Sequence, residues 1–267
     1  MISPLQSAIL GTIEGLTEYL PVSSTGHLIL AAHALGLSGE GVKAFEVVIQ
    51  AGAVAAVAGL YRQRVQSMWR GLWGQDATGR RLLVNLTVSF LPAAIVGLAL
   101  HRWITSMLFG VRPVALALAV GGIAMVLSQR WLMVRSQVGA RGIESLTSRE
   151  ALVVGLAQCL SLWPGTSRSM VTILAAMALG LSATSAAEYS FLLALPTLGA
   201  ATLFDAIHSR GVLASEVGAG ALVLGFVTAA AVAALAIRGL VHYLTRHGLA
   251  PFGWYRIGLA AAIWIMV

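Results

Sequence analysis

Two glutamates, Glu14 and Glu18, stand four residues apart in an otherwise apolar stretch near the start of the sequence. In a helix this spacing places both carboxylates on one face. In surroundings of low dielectric they would repel, and one would be protonated unless a cation lay between them. Carboxylate oxygens suit hard divalent ions, so the pair predicts a site for Mg²⁺ or Ca²⁺. The alternative is a pair of glutamates at a helix end that water reaches.

Three hydroxyl groups and an imidazole follow Pro21, on Ser23, Ser24, Thr25 and His27. If a helix restarts here, Ser23 or Ser24 is a natural N-cap, and the free amides of the first turn would form an anion site. Ser24 and His27 would then share a face, as a hydroxyl and its proton acceptor or as two groups around one phosphate. A lone histidine in an apolar segment more often only packs, but its polar neighbours favour a functional role for His27.

A second polar cluster surrounds Arg168, which stands between Ser167 and Ser169 after Pro164. The planar guanidinium matches the oxygens of a phosphate, and an arginine deep in a membrane needs an anion. A structural acid such as Glu18 could supply that charge, but a ligand phosphate would account for the serines as well. Carboxylates, hydroxyls, an imidazole and a guanidinium together suit phosphoryl transfer, which mainly requires positioning and charge neutralisation.

The composition indicates that a membrane protein must position these groups. Of the 267 residues, 58% are hydrophobic and 10% are charged, and the mean hydropathy is +0.86. Average soluble domains are about 45–50% apolar and roughly 25% charged. The net charge of +7 comes mainly from arginines in short loops, a pattern of membrane orientation rather than of nucleic-acid binding. The sequence contains no P-loop or Rossmann motif, which argues against nucleotide hydrolysis.

Six apolar runs are long enough to cross a bilayer, which needs roughly 20 residues in a helix. We predict these spans at residues 43–61, 82–103, 111–134, 186–208, 216–238 and 251–267. Two further apolar regions, 3–37 and 149–181, are interrupted by proline and polar residues, so that each flank is too short to cross. Irregular backbone at depth is tolerated where protein or a wet cavity covers it, so we predict two re-entrant hairpins. The predicted fold class is an all-α integral membrane protein.

The two interrupted regions resemble each other. Residues 20–25 align with residues 163–168 at an offset of 143, and residues 46–49 match residues 188–191. Each half of the chain, about 1–134 and 135–267 of a single domain 1–267, would hold one hairpin and three spans. Because three is odd, the second half would be inverted, and such repeats share a polar site where their broken elements meet. The alternative is chance similarity between apolar sequences.

The loop charges predict the orientation in the membrane. The loops 62–81, 130–149 and 238–246 hold eleven basic residues, against four in the alternate loops. The positive-inside rule places the first set in the cytoplasm and both termini outside.

At these motifs the sequence resembles the bacterial undecaprenyl-diphosphate phosphatase family of the bacitracin-resistance type. The matching stretches are EGLTEYLPVSSTGH at 14–27, FEVVIQ at 45–50 and LSLWPGTSRS at 160–169. One departure is Met170, where this family usually has glycine; the substitution removes no polar group. The resemblance covers nearly the whole chain.

The resemblance implies hydrolysis of undecaprenyl diphosphate to undecaprenyl phosphate and orthophosphate. This reaction recycles the carrier lipid for peptidoglycan synthesis and confers bacitracin resistance. The resemblance also implies a site that opens to the extracytoplasmic face of the bacterial cytoplasmic membrane, and dependence on a divalent metal. Residue by residue, Glu14 and Glu18 match the family's acidic motif, Ser24, Thr25 and His27 its phosphate-handling motif, and Arg168 its phosphate-binding arginine.

These observations lead to a mechanistic hypothesis. The phosphate-binding set is Ser23, Thr25, Ser167, Arg168 and Ser169. Glu18, with Glu14, would bind the metal or position a proton. Either Ser24 or His27 would attack the phosphorus, or His27 would activate water; the sequence leaves the nucleophile open.

A secondary transporter or flippase of a polyprenyl phosphate lipid is the main alternative, because inverted repeats with broken helices are typical of transporters. One protein could also combine hydrolysis and transport. A purely structural scaffold would leave Glu14, Glu18, His27 and Arg168 unexplained. The sequence does not fix the lipid chain length or the oligomeric state, and a homodimer is compatible with it.

Overall fold

A computed structural model describes residues 2–108, 110–137 and 140–266 of the chain, and within them it is built from helices. The α-helices in these ranges are α1 Pro4–Thr17, α2 Ser24–Ala34, α3 Glu40–Leu60, α4 Arg62–Leu72, α5 Ala77–Met107, α6 Val111–Gln137, α7 Ser148–Gln158, α8 Arg168–Ala178, α9 Ala183–His208, α10 Arg210–Glu216, α11 Ala219–Leu244 and α12 Ala250–Met266. Two 3₁₀ turns, Ile143–Ser145 and Cys159–Leu162, precede and follow α7.

Five of these helices are long and apolar enough to cross a membrane: α3, α5, α6, α9 and α11. They coincide with five of the six predicted spans, so the chain is a multi-pass membrane protein. The sixth predicted span, 251–267, falls on α12, which has 17 residues; its last residue, Val267, lies outside the described residues. Leucines such as Leu98, Leu127 and Leu235 are exposed on the long helices, where lipid rather than water is their expected solvent.

Short helices form both interrupted regions. The helices α1, α2, α7 and α8 have 14, 11, 11 and 11 residues, each too short for a span of roughly 20. A capping box starts α1 at Ser3 and another starts α7 at Thr147. After each break a serine in the left-handed region, Ser23 or Ser167, both at φ 73°, turns the chain into the next helix. Left-handed backbone is costly for a residue with a Cβ atom, so these turns are strained.

The local structures of the two regions correspond at an offset of 144, and the predicted offset of 143 is wrong by one residue. Ser3 corresponds to Thr147, Ser23 to Ser167, and Gly36 to Gly180, which also has positive φ. The shift arises because one residue, Val22, stands between the proline and the left-handed serine in the first region, whereas two, Gly165 and Thr166, stand there in the second. Ser23, rather than Ser24, is therefore the counterpart of Ser167, and Ser24 is the counterpart of Arg168.

Each broken segment packs against a long helix from the opposite half of the sequence. Helix α1 lies on α11, and α7 lies on α5, while α6 packs with α12 and α3 with α9. Small residues permit the close approach: a Cβ atom at Gly15 would lie 2.5 Å from the carbonyl oxygen of Ala229, and one at Gly155 would lie 2.6 Å from that of Ser89. Contacts of this type let helix backbones approach closely inside a membrane.

Helix α4 lies in the region predicted as a loop, 62–81. Its sequence holds three arginines, which mask a helical pattern in a search for long apolar runs. Trp69, Leu72 and the following Trp73 are exposed. Arg64 joins this region to the second half of the chain, with Nη1 2.7 Å from Glu144 and Nε 2.8 Å from Glu188.

Candidate active site

The two breaks meet in space, although about half of the chain separates them in sequence. Ser169, in the first turn of α8, donates a hydrogen bond of 3.0 Å to the carbonyl oxygen of Leu20 in the first break. Nη2 of Arg168 lies 3.4 Å from Oε1 of Glu18. The residues that the sequence places in two separate polar clusters therefore form one cluster, buried among helices.

Arg168 is held on two sides, and its side chain is buried, with the residue only 9% exposed. Nη1 donates to the carbonyl oxygen of Ser190 at 2.8 Å, and Nη2 faces Glu18. The guanidinium also lies 5.9 Å from the centre of the Tyr19 ring, within the range of a cation–π contact. Nε has no hydrogen-bond partner among the described residues. A buried unpaired donor is costly, so this N–H is available for an oxygen of a ligand.

Glu18 links Arg168 to Ser24. The Ser24 hydroxyl donates a hydrogen bond of 2.5 Å to Oε2 of Glu18, while Oε1 faces the guanidinium. A carboxylate in this position can accept the serine proton when Ser24 attacks an electrophile. The arginine faces the other carboxylate oxygen and so fixes the orientation of the Glu18 side chain.

His27 has different partners from those expected for the base of Ser24. Its Nδ1 lies 2.7 Å from the carbonyl oxygen of Ser23, which can only accept, so Nδ1 carries the hydrogen. In the neutral ring Nε2 then has the free lone pair, and it accepts a hydrogen bond of 2.7 Å from the hydroxyl of Tyr255 in α12. The two rings are parallel within 3°. The expected pairing of Ser24 with His27 is replaced by Ser24 with Glu18, because the break brings Glu18 closer than the next turn of α2.

Glu14 lies one turn before Glu18 and is 1% exposed. Its Oε1 has no partner among the described residues, and it interacts electrostatically with Glu18 and Glu46. Among the described residues no group of three or more acids, histidines or cysteines forms a ready-made metal site. Two carboxylates, one with an unpaired buried oxygen, still fit a divalent ion of the Mg²⁺ type, which commonly takes its other ligands from water and substrate phosphate.

The remaining predicted phosphate-binding residues line the same two helix starts. Ser23 is buried at the start of α2, and Thr25 is half-buried in its first turn. The Ser167 hydroxyl accepts from the backbone N–H of Met170 at 3.2 Å and lies 3.1 Å from the Ser169 hydroxyl. These serines define the turn at the helix start as well as offering hydroxyl groups to a ligand.

Comparison with known proteins identifies the family of this chain. The family model described as "Bacitracin resistance protein BacA" matches residues 7–262. The chain belongs to this family.

Relatives of the BacA-family protein carry consistent names. A protein of Sorangium cellulosum named undecaprenyl-diphosphatase is 50% identical over 258 residues, which cover 96% of this chain and 84% of the relative. A protein of Rhizorhabdus wittichii with the same name is 45% identical over 270 residues, which cover 99% of this chain and 98% of the relative. Undecaprenyl-diphosphatase 2 of Rhodospirillum rubrum is 41% identical over 264 residues, which cover 98% of this chain and 94% of the relative.

Two residues that contact the site of this BacA-family protein, Tyr255 and Arg256, are absent from the sequence-based site. Arg256 is completely buried, and its guanidinium reaches both breaks. The signal was present: Arg256 is the one charged residue of the apolar run 251–267, and an ionisable residue inside a membrane segment is by default a functional candidate. Glu46, a third acid that interacts electrostatically with Glu14, is also outside the sequence-based site.

Proposed function

We propose that this protein hydrolyses undecaprenyl diphosphate to undecaprenyl phosphate and orthophosphate. The observation that carries the proposal is the buried chain of contacts from Arg168 through Glu18 to Ser24, at the point where the two breaks meet. It joins an anion-binding group, a proton acceptor and a nucleophile, and it lies in a family whose relatives are named for this activity. The reaction recycles the carrier lipid for peptidoglycan synthesis and confers resistance to bacitracin.

The reaction begins with the diphosphate at the helix starts of α2 and α8. The free Nε of Arg168 and the hydroxyls of Ser23, Thr25 and Ser167 donate to its oxygens, and Ser169 joins them when its hydroxyl turns from the carbonyl of Leu20. The Ser24 oxygen attacks the terminal phosphorus while Glu18 takes the serine proton. The bond from that phosphorus to the bridging oxygen breaks, and undecaprenyl phosphate leaves.

Water then hydrolyses the phosphoserine, and the phosphorus–Oγ bond breaks. For this step the water replaces the Tyr255 hydroxyl at Nε2 of His27, which then accepts the proton of the water, and Glu18 returns its proton to Ser24. Glu14 and Glu18 would hold a divalent cation, Mg²⁺ or Ca²⁺, which would neutralise charge on the diphosphate.

The proposal includes a finer architecture. Helix α12 is the sixth span, and the α1–α2 and α7–α8 pairs are re-entrant hairpins of an inverted-topology repeat, with halves of about 1–134 and 135–267. The local correspondence at an offset of 144 supports the repeat, as does the reciprocal packing of α1 on α11 and α7 on α5. Three spans separate the hairpins, so the second hairpin enters from the opposite side.

Contacts between the halves are consistent with the proposed sides of the cytoplasmic membrane. Arg64 binds Glu144, which joins the two arginine-rich loops assigned to the cytoplasm. The backbone N–H of Gly41 donates to Glu216 at 3.0 Å, which joins two segments assigned to the outside. In this arrangement the first break, with Ser24, enters from the extracytoplasmic face, where the site opens.

The test is orthophosphate release from undecaprenyl diphosphate by the purified protein in detergent. We expect release by the wild type with Mg²⁺ or Ca²⁺, its loss in EDTA, and a fall of at least about 1,000-fold in Arg168→Ala, since arginines that stabilise phosphoryl transfer contribute this much. Arg149→Ala, an exposed arginine outside the site, is the matched control and should keep full activity.

Failure of well-folded wild type to release phosphate with metal supplied would favour a transporter of a polyprenyl phosphate lipid. The nucleophile has its own test, in which substrate labelled on the terminal phosphate is quenched with acid after one turnover. Label on Ser24 supports the serine pathway. No label, with inversion of configuration at the transferred phosphorus instead of the retention that two successive displacements give, would support direct attack by water.

A further inference from the structure

The last helix, α12, supplies two neighbouring side chains that contact the site from outside every motif described above. Tyr255 reaches His27, and Arg256 reaches the backbone of both breaks. Neither residue takes part in the proposed chemistry. Arg256 is a charged residue that is completely buried, and its presence there requires an explanation.

The guanidinium of Arg256 is satisfied by backbone carbonyls alone. It donates to Ala117 at 3.1 Å and Leu118 at 3.4 Å in α6, to Pro21 at 3.4 Å in the first break, and to Gly165 at 2.9 Å in the second. None of the ion pairs among the described residues involves this arginine. Its charge therefore serves to bind carbonyl oxygens.

The carbonyls of Pro21 and Gly165 are free because the helices stop there. A chain that leaves a helix exposes carbonyls without an N–H partner, and the prolines at both breaks remove further donors. Buried carbonyls of this kind need a donor in place of the missing backbone. Arginine offers five N–H groups in a rigid fork, whereas lysine offers one ammonium centre, so arginine can serve both breaks at once.

Tyr255 completes the arrangement by holding the imidazole of His27. The ring is bound at Nδ1 by the Ser23 carbonyl and at Nε2 by the Tyr255 hydroxyl, and the two rings lie parallel. Tyr255 is 49% exposed, so its hydroxyl is not placed at the histidine by burial of the residue. The contact fixes the tautomer and the plane of the imidazole.

We propose that Tyr255 and Arg256 are positioning residues of the phosphatase site. Arg256 sets the separation of the two breaks, and through it the distance between Ser24 with Glu18 on one side and Arg168 on the other. Tyr255 sets the orientation of His27. The inference rests on the proposed phosphatase activity, and it adds α12 to the elements that build the site.

The experiment measures kcat and KM for undecaprenyl diphosphate in detergent, per folded protein as judged by gel filtration and a thermal melt. Arg256→Lys keeps the charge but cannot hold both breaks, and we expect kcat to fall about 100-fold, as for small misplacements of reacting groups, with KM within about threefold. Arg256→Met should lose more. Tyr255→Phe should lower kcat about tenfold at unchanged KM, since it removes only the hydroxyl.

Glycine variants separate positioning from stability without changing Arg256. A Cβ atom at Gly121 would collide with Nη2 of Arg256 and lie 3.0 Å from Sδ of Met170, so Gly121→Ala should lower kcat by displacing the guanidinium. Gly258→Ala, on α12 with open space around its Cβ, is the control and should resemble wild type. Tyr243→Phe is the control for the tyrosine, because Tyr243 also stacks on a histidine, His247, outside the site.

Each outcome decides the inference. The Arg256 variants could have a lower melting temperature but the kcat of the wild type per folded protein. That result would show that Arg256 has only a structural role, and it would overturn the inference. If those variants do not fold, Gly121→Ala and Tyr255→Phe decide, and wild-type kcat in both would also overturn it. Inactive but folded wild type would instead refute the phosphatase function, so the two failures are distinguishable.

Discussion

The chemistry of this protein depends on which partner each polar side chain has. The sequence spacing alone favours a pair of Ser24 and His27. In the structure the helix break places Ser24 in a hydrogen bond with Glu18, and His27 forms one with Tyr255. The carboxylate is held by Arg168 and the imidazole by the Ser23 carbonyl, so each base has a fixed orientation. If Glu18 and His27 act as the two proposed bases, both next to the hydroxyls of the first break, they suit a reaction with two proton transfers.

At the residue scale, the substitution Glu18→Gln distinguishes the proposed role of Glu18 from that of His27. The amide keeps the size of the carboxylate but cannot take the Ser24 proton, so we expect kcat to fall about 10²–10⁴-fold, the usual contribution of a general base. The phosphoserine should form more slowly in a single turnover. His27→Gln, by contrast, should let label accumulate on Ser24, because the second step lacks its base. Equal rates of labelling in Glu18→Gln and wild type would contradict the assignment of Glu18.

The left-handed serines before α2 and α8 allow a second residue-scale prediction. Ser23 has φ 73°, and its side chain makes no capping hydrogen bond to α2. We expect Ser23→Gly to raise the melting temperature, because glycine removes a steric cost of roughly 1–2 kcal/mol, and to lower activity if the hydroxyl binds phosphate. Ser167→Gly should gain less stability, since Ser167 caps Met170. A lower melting temperature in Ser23→Gly would show that the hydroxyl contributes more than the strain.

At the scale of elements, the sequence was informative about long helices and about breaks. Five of the six predicted spans coincide with spanning helices, because long apolar runs leave few alternatives in a membrane. Helix α4 was missed because its arginines hide an amphipathic pattern. The register of the repeat was missed by one residue because the prolines were aligned, whereas the left-handed serines are the structural equivalents.

A polar contact outside the spans stabilises the second hairpin. Arg141 binds both carboxylate oxygens of Glu150, at 2.7 and 3.0 Å, and the carbonyl oxygen of Leu179 beyond α8. Hydrogen bonding from Arg141, followed by that from Thr147, lowers the pKa of Glu150 to about 2. The arginine therefore joins the start of α7 to the end of α8.

We expect Arg141→Gln to lower the melting temperature at neutral pH. Because the pKa of Glu150 is depressed in the folded protein, its contribution to stability is present above the usual pKa of about 4.3 and is lost as the pH falls towards 2. The difference between wild type and variant should therefore shrink over this range. Thermal melts from pH 7 to pH 3 measure it, with the exposed Arg149→Gln as control. A difference that is constant with pH would exclude the ion pair as its cause.

For the whole molecule, the polar site arises from the arrangement of the two halves. No single motif contains Glu18, Arg168 and Arg256 together, and their contacts depend on α1 lying on α11, α7 on α5 and α12 on α6. Sequence patterns identified most of the polar groups, since charges in a membrane segment are conspicuous. The hydrogen-bond partners were not predictable, because they depend on how closely and at what angle the helices pack, which the sequence pattern does not determine.

The proposed inverted repeat predicts on which side of the membrane each loop lies. Single cysteines at Ser38, Gln75 and Arg149, all exposed, would report on the loop after α2, the loop before α5 and the start of α7. In a Cys159→Ser background, a membrane-impermeant maleimide should label Ser38→Cys in spheroplasts, and Gln75→Cys and Arg149→Cys in inside-out vesicles. Labelling of Arg149→Cys from the same side as Ser38→Cys would place both hairpins on one face and exclude the inverted repeat. Reversal of all three would keep the repeat but place the site towards the cytoplasm, because the hairpin with Ser24 would then enter from that side.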